Sequence, residues 1–199
     1  MEISAALVKE LRDKSGAGIL DCKEALKESN GYVEKAFDYL RKHGISKAAK
    51  KSDREANEGA VLSYIHPGNK LGVLLELNCE TDFVAMTDDF LELAKEVSMQ
   101  IAASNPLTVT RDDISTEVVE REKEVYSGGE DIKGKPDNIV EKIIDGKMEK
   151  WYKQVCLMEQ VFVKDPSKSI SDLIKEAISK LGENITIKRF TRFQLGDNA

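Results

Sequence analysis

The sequence has few of the residues that build disulfides and metal sites. It contains three cysteines and two histidines among 199 residues. Cys22, Cys79 and Cys156 lie far apart and are odd in number, so we expect buried thiols in a reducing compartment and not a disulfide framework. His43 and His66 have no cysteine, histidine or paired acid at ligand spacing, which argues against a zinc site.

The sequence also lacks the signatures of nucleotide cofactors, secretion and membrane insertion. The run Gly16-Ala17-Gly18 has no third glycine and no preceding strand, so it is not a dinucleotide fingerprint, and no Walker lysine follows a glycine loop. The first residues lack the basic-then-apolar layout of a signal peptide, and no apolar run approaches the ~20 residues needed to span a bilayer. We therefore expect a soluble cytoplasmic protein with no metal and no cofactor.

The charge of the chain is acidic and unevenly distributed. The 30 basic and 36 acidic side chains give a net charge of −6, which argues against generic binding to nucleic acid or to an anionic membrane. Residues 1–52 carry 11 basic and 8 acidic side chains, whereas the remainder carries 19 and 28. This asymmetry is a weak indication of an oriented encounter with a partner, and an ordinary solvated surface is the favoured explanation.

Residues 1–45 have the apolar spacing of three short helices. We expect the second helix to begin at Asp21 and to end at residues 30–31. The third should end at Gly44. The apolar positions behind this prediction are Ile3, Leu7, Leu11, Val33, Ala36, Phe37 and Leu40. So small a bundle has little core, which favours a docking module attached to a larger body.

Residues 46–57 are charged and lack apolar anchors, which is typical of a linker. Two domains are therefore predicted: residues 1–52, a three-helix docking module with a linker helix, and residues 53–199, the core. In the core we expect strands over 59–66, 71–79, 155–163 and 185–195, a turn at 67–70, and helices over 90–101, 115–126, 140–151 and 170–181. Strands and helices without regular alternation favour an α+β fold, with a small antiparallel sheet packed by helices.

An acidic and aromatic segment directly follows the second predicted strand. Phe83 and Val84 fit neither the strand period nor the helix period, and Asp82 beside them prefers water. A large apolar side chain on an exposed segment is a candidate for insertion into a partner. In the alternative interpretation, Thr81 or Asp82 caps the next helix while Phe83 folds back into the core.

Local motifs for catalysis are missing from the sequence. The pairs Asp88-Asp89 and Asp112-Asp113 are better explained as first-turn acids of helices than as a general acid and base. A nucleophile assembled in space from a cysteine and a histidine stays open at this point. We therefore expect a protein that is not an enzyme.

Residues 11–26 and 78–85 resemble the two signatures of the bacterial elongation factor Ts family. Further similarity runs through residues 47–51, 159–165 and 182–185, in the expected order over nearly the whole chain. The resemblance implies an N-terminal three-helix module of the ubiquitin-associated type. It also implies a guanine nucleotide exchange factor that promotes GDP release from elongation factor Tu during translation elongation.

The resemblance also implies roles for two groups of residues. Positions that dock on the GTPase domain of the partner are Arg12, Ile19 and Leu20. The segment that intrudes beside the nucleotide of the partner and dislodges its Mg²⁺ is matched by Thr81, Asp82, Phe83 and Val84. The chain lacks the coiled-coil insertion and duplicated core subdomain of longer members, and it resembles compact members that dimerise through the core, so we expect a homodimer.

Two further hypotheses belong to other classes of protein. A ubiquitin-associated-type binding module on an unrelated body would bind through residues 1–52 alone and would not need Phe83. A cysteine hydrolase would need one selectively reactive thiol among the three.

Overall fold

The computed structural model describes residues 3–197, without the side chains of residues 45–47 and 49. The helices are α1 (Ala5–Ser15), α2 (Ile19–Glu28), α3 (Val33–Ala49), α4 (Asp82–Ala85), α5 (Asp88–Ser104), α6 (Thr116–Ser127), α7 (Asp137–Val155) and α8 (Ile170–Leu181). The strands are β1 (Glu58–Ile65), β2 (Leu71–Cys79), β3 (Val161–Phe162), β4 (Asp165–Ser169) and β5 (Thr186–Gln194).

A small three-stranded sheet has the order β1-β2-β5, and β3 pairs separately with β4 in an antiparallel ladder. Helices and strands do not alternate regularly, which confirms the predicted α+β class with its small antiparallel sheet. The chain divides into two compact units, and every strand of the larger sheet contributes residues to both. The first unit comprises Met1–Leu62, Glu76–Lys95 and Asp172–Ile187, and the second comprises Ser63–Leu75, Glu96–Ser171 and Lys188–Ala199.

The three N-terminal helices pack around one small core, as predicted. Its fully buried members are Leu11, Cys22, Ala25, Leu26 and Ala36. The Ser4 hydroxyl accepts a hydrogen bond from the backbone N–H of Leu7 and thereby caps α1. Gly16, with a φ of 65°, ends the same helix in the left-handed conformation that glycine adopts most easily.

Two predicted helix boundaries in this module are wrong. Helix α2 begins at Ile19, with Asp21 already in its first turn. Helix α3 continues through Gly44 to Ala49, so the first residues of the predicted linker are helical. Gly44 is buried, and a Cβ atom there would lie 3.0 Å from the Oγ atom of Ser179 on α8. This glycine therefore allows two helices to approach closely, and it does not end one.

Strands β1 and β2 form the predicted hairpin. Gly68 and Asn69 adopt positive φ angles of 95° and 56° in the connecting turn, which suits their residue types. Along β2 the buried side chains are Val73, Leu75, Leu77 and Cys79. Alternate residues of this strand therefore carry the core, in agreement with the period of the sequence.

The strand predicted over residues 155–163 is wrong in its greater part. Helix α7 runs through Val155, and only two residues of the range are extended, in β3. The buried side chain of Gln160 donates to the carbonyl of Gln154 at 2.6 Å and accepts from Gln100 at 3.0 Å. A turn satisfies these amide groups, whereas a straight strand would not.

The remaining helix predictions are confirmed by α5, α6, α7 and α8. Strand β4, by contrast, is not anticipated by the pattern of the sequence. Among residues 3–197, none of the helices is both long enough and apolar enough to cross a membrane.

Candidate functional site

The segment predicted to enter a partner, residues 81–84, follows β2 in the first unit, and its last three residues belong to the four-residue helix α4. The Thr81 hydroxyl accepts from the backbone N–H of Val84 at 3.4 Å and caps α4. Phe83 is nevertheless 80% exposed. One half of the alternative interpretation is therefore correct, since Thr81 is a cap, but Phe83 does not fold back into the core. Asp82 is exposed, and Val84 is half-buried.

Met86 is a second exposed apolar residue of this segment, and the sequence analysis missed it. It lies at the C-terminal end of α4 and is 71% exposed. Residues three apart on a helical turn lie on the same side, so Met86 and Phe83 present a joint apolar surface. The signal was available in the sequence, because Met86 follows Phe83 by three residues in the same acidic and aromatic segment. We call residues 81–86 the tip segment.

The carboxylate of Glu183 holds the start of the tip segment. Its Oε2 atom accepts the backbone N–H groups of Glu80 at 3.1 Å and Thr81 at 3.0 Å. Its Oε1 atom accepts the Thr81 hydroxyl at 2.7 Å. Glu183 follows α8, more than 100 residues later in the chain, and no local motif links it to the tip segment. All of these residues belong to the first unit.

Glu80 makes a reciprocal contact with the same turn. Its Oε1 atom accepts the backbone N–H of Asn184 at 2.7 Å and lies 3.5 Å from the guanidinium of Arg54. The side chain of Asn184, only 2% exposed, donates to the carbonyl oxygens of Ser52 at 3.3 Å and Arg54 at 2.7 Å. The residues before β1 are thus tied to the turn that carries Glu183.

The predicted docking residues lie around the turn between α1 and α2. Leu20 is 81% exposed, and Ile19 and Arg12 are exposed as well. A Cβ atom at Gly16 would lie 3.1 Å from the Cε atom of Lys180, so the stem of this lysine covers the turn. The Lys180 ammonium group donates to Asp89 at 2.7 Å, in the first turn of α5. The turn between α1 and α2 therefore lies beside Lys180, and the tip segment contacts Glu183 three residues later, within the first unit.

The chemistry of the cysteines argues against the hydrolase hypothesis. All three are buried. Burial raises the pKa of the Cys79 thiol, and the negative charge of Glu183 raises it further. Burial also raises the pKa of Cys156. A reactive cysteine needs the opposite environment, because the thiolate is the nucleophile. Within residues 3–197 there is also no cluster of three His, Cys, Asp or Glu side chains that could hold a metal ion.

Comparison with known proteins gives consistent matches over almost the entire chain. The family model described as "Elongation factor TS" matches residues 44–197. The chain is 55% identical over 195 residues to a protein of Desulfosudis oleivorans and 54% identical over 197 residues to one of Fervidobacterium nodosum. It is 56% identical over 194 residues to a protein of Oleidesulfovibrio alaskensis. All three bear the name Elongation factor Ts, and the matches cover 98–99% of this chain and 98–100% of the relatives.

Proposed function

Because the chain belongs to the elongation factor Ts family, we propose that it is a guanine nucleotide exchange factor for elongation factor Tu. In this role it promotes GDP release during translation elongation, makes or breaks no covalent bond, and is not an enzyme in that sense. Because it would act on elongation factor Tu, we place this protein in the cytoplasm. The observation that carries the proposal is the exposed Phe83 on a segment whose backbone is held by hydrogen bonds.

The proposed mechanism uses the sensitivity of the metal in the nucleotide site of the partner. Mg²⁺ requires near-ideal octahedral oxygen ligation and connects a GTPase to the phosphates of its nucleotide. Insertion of Phe83 between packed elements of elongation factor Tu would displace groups that maintain this ligation. Thr81, Asp82 and Val84 would enter with it. Loss of metal ligation then increases the rate at which GDP dissociates.

The effect must be mutual. If this chain weakens GDP binding to elongation factor Tu, GDP weakens the binding of this chain by the same factor. GTP that enters the emptied site can therefore displace the exchange factor. The cycle needs binding energy alone, in keeping with the absence of catalytic motifs from the sequence.

We assign affinity to a separate group of residues on the N-terminal module. Ile19 and Leu20 expose apolar surface at the start of α2, and Arg12 adds a positive charge at the end of α1. This combination suits docking on another protein. The module of residues 1–52 would hold the partner, while the tip segment of the core domain changes it.

We also propose that the core mediates a homodimer. In the second unit an open groove of about 520 Å³ lies on the sheet. Its exposed apolar residues are Ile65, Leu74, Phe193 and Leu195. A second copy would cover this face, as the resemblance to compact dimeric members implies. A net charge of −6 leaves nucleic acid and anionic membrane outside the proposed partners.

The test is a nucleotide release assay. Elongation factor Tu is loaded with fluorescent GDP, excess unlabelled GDP is added, and the fluorescence decay is followed with catalytic amounts of this protein. We expect release to be much faster than in buffer. Release at the buffer rate would refute the proposed function.

A further inference from the structure

We propose that Glu183 is a positioning residue for nucleotide exchange, because its carboxylate holds the start of the tip segment in the conformation that presents Phe83. Glu183 can have this role only if the exchange function proposed above is correct. It lies outside residues 78–85 and is placed against them only by the fold.

Two backbone N–H groups between β2 and α4 are bonded by Glu183 and not by regular secondary structure. Strand β2 ends at Cys79 and α4 begins at Asp82, so Glu80 and Thr81 lie between the two elements. Their N–H groups point to one oxygen of Glu183, at 3.1 and 3.0 Å. Hydrogen bonds to a charged acceptor are stronger than neutral ones. The path of the chain into α4 is therefore set by this carboxylate.

Glu183 also fixes the direction of the Thr81 hydroxyl. A hydroxyl has one proton to donate, and Thr81 donates it to Oε1 of Glu183 at 2.7 Å. Its lone pairs are then left to accept the N–H of Val84, the cap of α4. A helix of four residues has little stability of its own, so its direction depends on this cap. Phe83 lies in the first turn of that helix.

Contacts of the residues on either side hold Glu183 itself in position. Gly182 ends α8 with a φ of 83°, a left-handed conformation that turns the chain toward the tip segment. The ammonium group of Lys51 donates to the Gly182 carbonyl. Glu80 accepts the N–H of Asn184 on the other side. The backbone on both sides of Glu183, at Gly182 and Asn184, is therefore hydrogen-bonded, and its carboxylate can act as a fixed acceptor.

The experiment compares Glu183→Ala and Glu183→Gln with the parent in the full-length protein. GDP release is measured over a range of elongation factor Tu·GDP concentrations to separate kcat from KM. For Glu183→Ala we expect kcat to fall about tenfold, because the tip segment that enters the partner loses a charge-assisted contact. KM should stay within about twofold, because the docking residues are untouched.

Glutamine retains one oxygen that can accept the two N–H groups, but its amide nitrogen carries the donor hydrogens and cannot accept the Thr81 proton. We therefore expect Glu183→Gln to recover kcat to within about threefold of the parent. A Thr81→Val variant completes a double-mutant cycle. If Glu183 acts through Thr81, the double variant loses much less than the product of the two single losses.

Ile178→Val is the matched control for stability. It removes one buried methylene group from α8, makes no polar contact with the tip segment, and should leave kcat unchanged while it lowers Tm. Should Glu183→Ala fail to fold, as judged by circular dichroism, the double-mutant cycle of Glu183→Gln with Thr81→Val decides the question. Losses in kcat that multiply fully in the double variant would then refute a role of Glu183 through Thr81.

The outcomes separate the two proposals. A parent protein that does not accelerate GDP release refutes the exchange function and the role of Glu183 together. A parent that does accelerate release, with a Glu183→Ala variant of parental kcat, refutes the role of Glu183 alone. A change confined to KM refutes it as well.

Discussion

At the scale of the residue, the exposure of the Phe83 and Met86 side chains costs the free protein the free energy that their burial would contribute. A phenylalanine side chain gains about 1.5–3 kcal/mol on full burial, and Phe83 forgoes most of it. The chain has an apolar core nearby in β2, yet the capped helix α4 directs both side chains outward. Such an arrangement is expected where a partner supplies the missing apolar contacts.

Replacement of Phe83 by alanine should therefore remove function and leave the fold intact. We expect the maximal rate of GDP release to fall at least about tenfold, while the free energy of unfolding changes by no more than ~0.5 kcal/mol, as for most exposed positions. Release kinetics and urea denaturation measure the two effects. Tyr32→Ala is the control, since Tyr32 is another exposed aromatic residue of the first unit. Parental exchange by Phe83→Ala would refute the insertion mechanism.

A second prediction at this scale concerns pH and the second unit. Arg111 forms two hydrogen bonds of 2.7 Å with Glu149, pairs also with Glu159, and stacks on Tyr152 at 4.3 Å. The bonded guanidinium lowers the pKa of Glu149 below its ordinary value of 4.5. A lowered pKa in the folded state stabilises the fold above the ordinary value, and this contribution is lost as pH falls through the folded pKa.

Glu149→Gln should consequently lower Tm at pH 7, and the difference from the parent should shrink as the pH falls below about 4. Thermal unfolding followed from pH 7 to pH 3 measures this. Glu141→Gln, at an exposed position of the same helix, is the control. A difference from the parent that stays constant across this range would show that the Glu149 carboxylate is not the source.

At the scale of the element, the sequence predicted the helices whose apolar stripes face a core, and it failed where distant residues decide. The stripe of α8 and the alternation of β2 contain the information locally. Helix α3 continues through Gly44, and the close neighbour of this glycine is Ser179, 135 positions later. The turn after α7 depends on the contact of Gln160 with Gln100. No window along the sequence contains both members of these pairs.

The same distinction applies to the site. An exposed Phe83 was one of the two interpretations that the sequence left open, and the structure decides between them. The contact of Thr81 with Glu183 could not be predicted, because a glutamate after a helix is typical of any solvated turn. Tertiary structure alone brings the two together.

Two glycines in helices provide a paired test of this interpretation. At Gly146 in α7 an added Cβ atom meets no atom within 4 Å, so Gly146→Ala should stabilise the fold by roughly 0.5–1 kcal/mol. Gly44→Ala should gain less or lose stability, because its Cβ atom would lie 3.0 Å from Ser179 Oγ. Urea denaturation measures both. Adding Ser179→Ala should recover part of the loss, and equal gains at both glycines would refute close helix packing.

Leu20, in the first turn of α2, should contribute to the affinity for elongation factor Tu. Leu20→Ser should raise the KM for elongation factor Tu·GDP about tenfold or more and leave kcat near the parental value, since it removes docking surface and not the tip segment. Release kinetics at varied partner concentration separate the two constants. Leu107→Ser, at an exposed leucine of the second unit, should change neither. An unchanged KM for Leu20→Ser would remove this residue from the docking surface.

At the scale of the whole molecule, the two units carry different surfaces. The first contains the tip segment and the proposed docking residues Arg12, Ile19 and Leu20, and the second contains the exposed apolar face of the sheet. Exchange and self-association should therefore be separable by mutation.

The double variant Phe193→Ser with Leu195→Ser should be monomeric, because it makes the exposed sheet face polar. Analytical ultracentrifugation of parent and variant measures the mass. The variant should keep its kcat for GDP release per chain. Val125→Ser, at an exposed valine of α6, is the control and should keep the parental mass. A parent that stays monomeric at high concentration, or a variant with the parental mass, would refute this interface.

The contact between Thr81 and Glu183 has a consequence for biosynthesis. The two residues are 102 positions apart, and a nascent chain grows from its N-terminus. At about 5–20 residues per second, the ribosome needs roughly 5–20 s after Thr81 to add the acid that orients it. During this interval the growing polypeptide can already contain a folded N-terminal bundle but not a completed tip. A nascent chain would thus be able to dock on elongation factor Tu before it could promote GDP release.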